Sequence, residues 1–125
     1  MSFCISTEQT GDVAVLQCSG RIVRAQALSL LKDAVTSLSQ LRVVVLDLSE
    51  VEMLDAGGLG MLVFLHNWTR ANGIQLKLVN PPKLVREMLE RTGLTSVLHI
   101  SSVEDVVEIF CSSDRTIEKV NRAVA

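Results

Sequence analysis

Residues 43–60 read VVVLDLSEVEMLDAGGLG. The run Val43-Val44-Val45-Leu46 is apolar on both parities, which suits a central strand buried on both faces of a sheet crossed by helices. Asp47 falls at the carboxyl end of that run, where ligand-binding residues gather in open α/β sheets. Ser49 to Ala56 reads as a loop, leading into the glycine-rich helix start Ala56-Gly57-Gly58-Leu59-Gly60. Asp55 stands just before it, placed to accept hydrogen bonds from the first free N–H groups of the helix. Each glycine in an ordinary helix costs roughly 1 kcal/mol relative to alanine. The three here either let another backbone or side chain approach closely, or serve only a tight turn and close helix–sheet packing.

Working outward, residues 3–7 and 13–18 read as short strands. Gly11-Asp12 marks the turn before Val13-Ala14-Val15-Leu16, and Gly20 closes the second strand. From Arg24 to Leu38, Ala25, Leu28, Leu31, Val35 and Leu38 recur at helical spacing on one face. Downstream, residues 57–72 form a helix ended by Asn72-Gly73. Ile74, Leu76 and Leu78 alternate as a half-buried strand, stopped by Asn80-Pro81-Pro82, with Pro82 suited to a helix's first turn. Leu84, Val85, Met88 and Leu89 stripe a short helix capped by Gly93. Val97 to Ile100 reads as a last short strand, and Ser102 caps a final helix carrying Val103, Val106, Val107 and Phe110. The order β-β-α-β-α-β-α-(β)-α implies an α/β fold: a mixed, mostly parallel sheet of four to five strands with right-handed crossovers. Residues 112–125 form a more polar tail in which Ile117, Val120 and Val124 keep helical spacing, either docked or frayed.

A chain of 125 residues, 48% apolar, fits one domain with a core that needs no disulfide or structural metal. A formal charge of -2 argues against a nucleic-acid binder, and 3% aromatic residues leave few platforms for stacking bases. The three cysteines, Cys4, Cys18 and Cys111, are odd in number and widely spaced, so they read as buried free thiols rather than a disulfide framework or zinc site. Met1 to Glu8 lacks the pattern of a signal peptide, and the apolar stretch from Leu59 to Leu65 is too short to span a bilayer. A cytoplasmic location without direct membrane insertion is expected.

The pattern Asp47-x-Ser49-x-Val51-x-x-x-Asp55-x-x-Gly58-x-Gly60 resembles the signature of STAS domains. Leu76-Lys77-Leu78-Val79-Asn80-Pro81, then Val85, Leu89 and Thr92-Gly93-Leu94, is similar to the family's later segment. The resemblance spans residues 3–111 and assigns 1–111 to a STAS domain. It implies an anti-sigma-factor antagonist: a bacterial transcription regulator that works by partner switching, binding a kinase-type anti-sigma factor, with no cofactor and no chemistry of its own. The family's usual motif is Asp-Ser-Ser-Gly-Leu-Gly, whose second hydroxyl is phosphorylated by the partner. Ala56 and Gly57 occupy the two hydroxyl positions here, so the acceptor position is Gly57 and no phosphorylation is expected there. STAS-like subunits of ABC-type lipid-transport complexes, which can also lack the phosphoserine, are the alternative.

The resemblance and the residues together nominate Asp55, Ala56, Gly57, Gly58, Leu59, Leu62 and Val63 for partner binding. Asp47, Ser49 and Gly60 complete the structural motif. On a helical wheel, Met61, Phe64, Leu65, Trp68 and Ala71 gather on one face and are expected to pack on the sheet. Leu59, Leu62 and Val63 fall outside it, forming either a docking spot or a contact with the helix from Pro82 to Arg91. His66 and His99 stand alone, so no metal site is read. Asp47 and Asp55 have no nucleophile or base at a recognisable spacing, and Ser49 reads as satisfying backbone groups rather than as a nucleophile. The glycine-rich turn lacks the lysine of a P-loop.

Overall fold

The chain opens with a hairpin of β1 (Cys4–Thr10) and β2 (Val13–Ile22), then runs through α1 (Ala25–Thr36), β3 (Val43–Leu54), α2 (Ala56–Ala71), β4 (Gln75–Val79), α3 (Lys83–Arg91), a short 3-10 turn (Leu94–Ser96) and β5 (Ile100–Ser101). The structure, a computed structural model, describes residues 3–38, 40–102, 104–105 and 107–108. Strand order in the single sheet follows chain order, β1-β2-β3-β4-β5, and only the β1–β2 pair is antiparallel. Every parallel crossover therefore steps the same way across the sheet. Right-handed connections then put α1, α2 and α3 on one face. The packing agrees: Leu31 and Val35 of α1, Leu62 and Leu65 of α2, and Val85 and Leu89 of α3 share one core with Leu16, Leu46 and Leu78. The opposite face carries a smaller cluster of Val13, Val43, Val45 and Val79. Val43 to Leu46 thus form the central strand, buried on both sides as their composition requires.

β1 runs on to Thr10 rather than ending at residue 7, and three further boundaries differ from the sequence reading. β2 does not stop at Gly20 but reaches Ile22, because Gly20 takes a φ of 100° at a register irregularity that re-aims the strand. Most of the expected loop from Ser49 to Ala56 is strand, which runs to Leu54. β2 pairs with β3 as far as Leu54, with Val51 and Leu54 buried while Glu50 and Glu52 face solvent. The last strand is Ile100–Ser101, since the residues after Gly93 coil into the 3-10 turn and leave Val97 to His99 outside the sheet.

Smaller corrections concern which side chains are buried. In α1, Ala27 faces the core and Ala25 is exposed. In α3, Val85 and Leu89 are buried and Leu84 is exposed, and Pro82 is the N-cap rather than the first helical residue. Cys18 is a buried free thiol, but Cys4 is exposed, because pairing of Ile5 with Cys18 puts neighbouring Cys4 on the other face. Burial, and then the charge of Asp47, pushes the Cys18 thiol up to about 12, so it is an inert apolar group at neutral pH. Ser102 and Asp105 exchange hydrogen bonds of 3.2 and 3.3 Å in a capping box, and Glu104, Asp105, Val107 and Glu108 are helical. Val103, Val106, Phe110, Cys111 and the tail of residues 112–125 lie outside the described residues.

Candidate functional site

The strand β3 delivers Asp55 directly to the start of α2. Asp55 is the N-cap, extended at φ -106° and ψ -171°, and its side chain accepts a hydrogen bond of 2.9 Å from the Gly58 N–H. Its own carbonyl accepts from the Leu59 N–H at 2.9 Å, opening the helical ladder. The carboxylate thus satisfies one free donor and sits where the helix dipole favours negative charge.

The three glycines have different surroundings. A methyl group on Gly58 would collide with the backbone carbonyl oxygen of Ile22 and lie 2.9 Å from Leu54 Cδ2. Gly58 therefore seats the helix end directly on β2 and β3. Gly57 is exposed, and a methyl there would meet only Asp55 Oδ1 at 3.3 Å and Leu28 Cδ1 at 3.4 Å. Gly60 is exposed with nothing within 4 Å. Gly58 is a packing requirement, Gly60 is open, and Gly57 is exposed but would take a Cβ only in close contact with Asp55 and Leu28.

That seating fixes the rotation of α2. With Gly58 inward, Leu59, Leu62, Leu65 and Thr69 follow it into the core. Of the two readings of Leu59 and Leu62, a docking spot or a packed contact, their burial fits packing: Leu62 is 0% exposed and Leu59 is buried beneath the helix start. Val63 is half-buried, while Ala71 and Phe64 are exposed rather than packed on the sheet. The Lys32 ammonium of α1 lies 5.2 Å from the Phe64 ring centroid and covers part of it. Thr69 is buried because its hydroxyl donates back to the Leu65 carbonyl at 2.7 Å.

Asp55, Ala56, Gly57 and Gly58 are together at one end of the domain, with exposed Gly60 one turn along. Two apolar neighbours went unread in the sequence: Leu28 of α1, against Gly57, and exposed Met53, two residues before Asp55. Leu28 lay hidden in the ordinary stripe of α1, and Met53 in the supposed loop. Arg21 and Glu52 form an exposed ion pair of 3.9 Å on the adjoining strands. Asp47 and Ser49 are not part of this cluster. Asp47 lies within β3 rather than at its end; it is the last β3 residue paired with β4, and its Oδ1 accepts from the Ser49 N–H at 3.0 Å. At about 3.3 Å per residue, that leaves Asp47 roughly 26 Å of extended chain from Asp55. The two carboxylates do not form a pair.

The STAS domain family matches residues 5–107. Among solved structures, an anti-sigma factor antagonist from Mycobacterium paratuberculosis superposes with a TM-score of 0.74 at 21% identity, over 87% of this chain and 94% of that one. The Bacillus anti-sigma factor antagonist SpoIIAA, unphosphorylated, gives 0.70 at 17% identity over 87% of this chain and 97% of its own. A murine anion transporter, solute carrier 26 member A9, gives 0.67 at 20% identity over 84% of this chain but only 18% of the transporter. No curated protein matches the chain in sequence. At these identities the superpositions establish a common fold.

Proposed function

The chain belongs to the STAS domain family, and from that we propose that it is a non-enzymatic regulatory module of the anti-sigma-factor antagonist kind. It docks a kinase-type anti-sigma factor, or a related partner-switching protein, through the exposed start of α2, and it is not phosphorylated at the family's usual position. The observation that carries this reading is Gly57: exposed, beside an N-cap that is fully formed, and without the hydroxyl that the family's acceptor position carries. Asp55, Ala56, Gly57 and Gly60 form the accessible contact, with Leu28, Met53 and Val63 as flanking apolar surface. Leu59 and Leu62 support the helix from beneath and Gly58 anchors it.

In the family, a phosphate at this position adds roughly 1.5 to 2 negative charges and blocks docking. Without the acceptor, the partner stays bound until another signal removes it. Incubation with the partner kinase and ATP, followed by peptide mass spectrometry, is expected to leave the peptide containing Gly57 unmodified. Gly57→Ser should acquire a phosphate under the same conditions, since the backbone is helical, the position is exposed, and the atoms nearest an added Cβ belong to the side chains of Asp55 and Leu28, which can shift by a few tenths of an ångström. A Gly57→Ser variant that binds the kinase but takes no label would place the docking geometry elsewhere.

A second reading is a STAS subunit of an ABC-type lipid-transport complex, favoured by the same missing hydroxyl. No helix among the described residues is long and apolar enough to cross a membrane, so membrane association would run through a partner subunit. Co-purification with a permease and ATPase, and not with a kinase, would establish it.

A further inference from the structure

A second surface lies at the other end of α2, roughly 14–20 Å along the helix from Gly57 at 1.5 Å per residue. It is an open groove of about 280 Å³ bounded by α2, the first half of β4 and His99. β5 pairs with β4 only at Leu78 and Val79, so residues 75–77 form an open sheet edge among the described residues. The Leu78 N–H donates to the His99 carbonyl at 2.9 Å, on the side where β5 lies. Strand alternation then turns the N–H and C=O of Leu76 to the same side, beyond the end of β5. Ile74 and Leu76 give the groove an apolar floor, and its rim carries Arg70, His66, Lys77 and His99 with no carboxylate. None of these four makes an ion pair with a described residue. In a chain of net charge -2, that is a local reversal of sign.

We propose that this groove binds an extended acidic segment of a partner protein, added to the sheet as a strand beside β4. The N–H and C=O of Leu76, unpaired among the described residues, supply the ladder; apolar side chains of the added strand cover Ile74 and Leu76 on the α2 face, beside Arg70 and His66, and the intervening acidic ones fall on the opposite face with Lys77. A second copy of this chain is a poor occupant, because two such edges would bring like charges together.

The test titrates the 15N-labelled protein with the peptide acetyl-Glu-Val-Glu-Val-Glu-Val-amide. Amide shifts centred on Leu76, Lys77 and His99 are expected, with binding weakened at least tenfold in the Arg70→Glu, Lys77→Glu double variant. The peptide with lysine for glutamate should not bind. N-methylation of one alternate set of peptide amides should abolish binding and of the other set should spare it, as strand addition requires. Gly57→Asp should leave the titration unchanged, which separates this surface from the start of α2. Absence of shifts at Leu76 with millimolar peptide, equal binding of the lysine peptide, or equal loss from both methylation sets would overturn the proposal. So would a dimer of the free protein that the peptide dissociates.

Discussion

Gly58→Ala is expected to lower the unfolding free energy by about 3 kcal/mol, at the upper end of what overpacking costs. The new methyl group would occupy the space of the Ile22 carbonyl oxygen and press on Leu54. A backbone carbonyl within β2 has no rotamer to escape into, so α2 must lift from the sheet and loosen Leu59 and Leu62 beneath it. Gly60→Ala, two residues away, should instead stabilise by roughly 0.5–1 kcal/mol, since it removes a helix-interior glycine and meets nothing. Urea melts of the two variants check both signs at once. Equal effects would mean that the helix start is not seated on β2 as described.

Leu62→Ala should lose roughly 2–5 kcal/mol, the range for a fully buried leucine whose site collapses only in part. Phe64→Ala should lose about 1 kcal/mol, the scale of an exposed cation–π pair. Leu62 is 0% exposed at the centre of the helix–sheet core, whereas Phe64 is 39% exposed under Lys32. Thermal denaturation of the two variants decides the rotation of α2. Similar losses, or a larger one for Phe64→Ala, would turn the helix back toward the orientation its apolar wheel suggests.

That wheel shows where the sequence was opaque. α2 is apolar nearly all round, so Met61, Phe64 and Trp68 offered as good a stripe as Leu59, Leu62 and Leu65. The choice between them rests on Gly58, the one position where the helix backbone comes close enough to β2 to exclude a Cβ. A contact with Ile22, thirty-six positions earlier in the chain, leaves no mark in local periodicity. The limits of α2 were legible for the opposite reason: an aspartate cap and an Asn72-Gly73 stop are local signals. The extension of β3 was hidden by Ser49, Glu50 and Glu52, which read as a loop. They are the outward residues of a strand whose inward ones, Val51 and Leu54, are too few to show alternation. Val43 to Leu46 needed no partner to be recognised, because a run apolar on both parities has few other homes. The motif residues divided in the same way. Asp55 to Gly58 came together because they are adjacent, while Asp47, linked to them only by sequence pattern, lies far along the strand.

The claim that the start of α2 is the docking surface is tested most directly by Gly57→Asp. Isothermal titration with the kinase-type anti-sigma factor proposed as its partner is to be run beside thermal melts of the same samples. An acidic group in the first turn of a helix is worth roughly 0.3–1 kcal/mol in its favour, and Asp55 alongside offsets part of that, so the melting temperature should hold. Binding should fall at least tenfold, about 1.4 kcal/mol, because a second carboxylate beside Asp55, with no partner of its own, would be left in the proposed interface. Undiminished affinity in a folded Gly57→Asp protein would contradict the account and move the contact away from this helix.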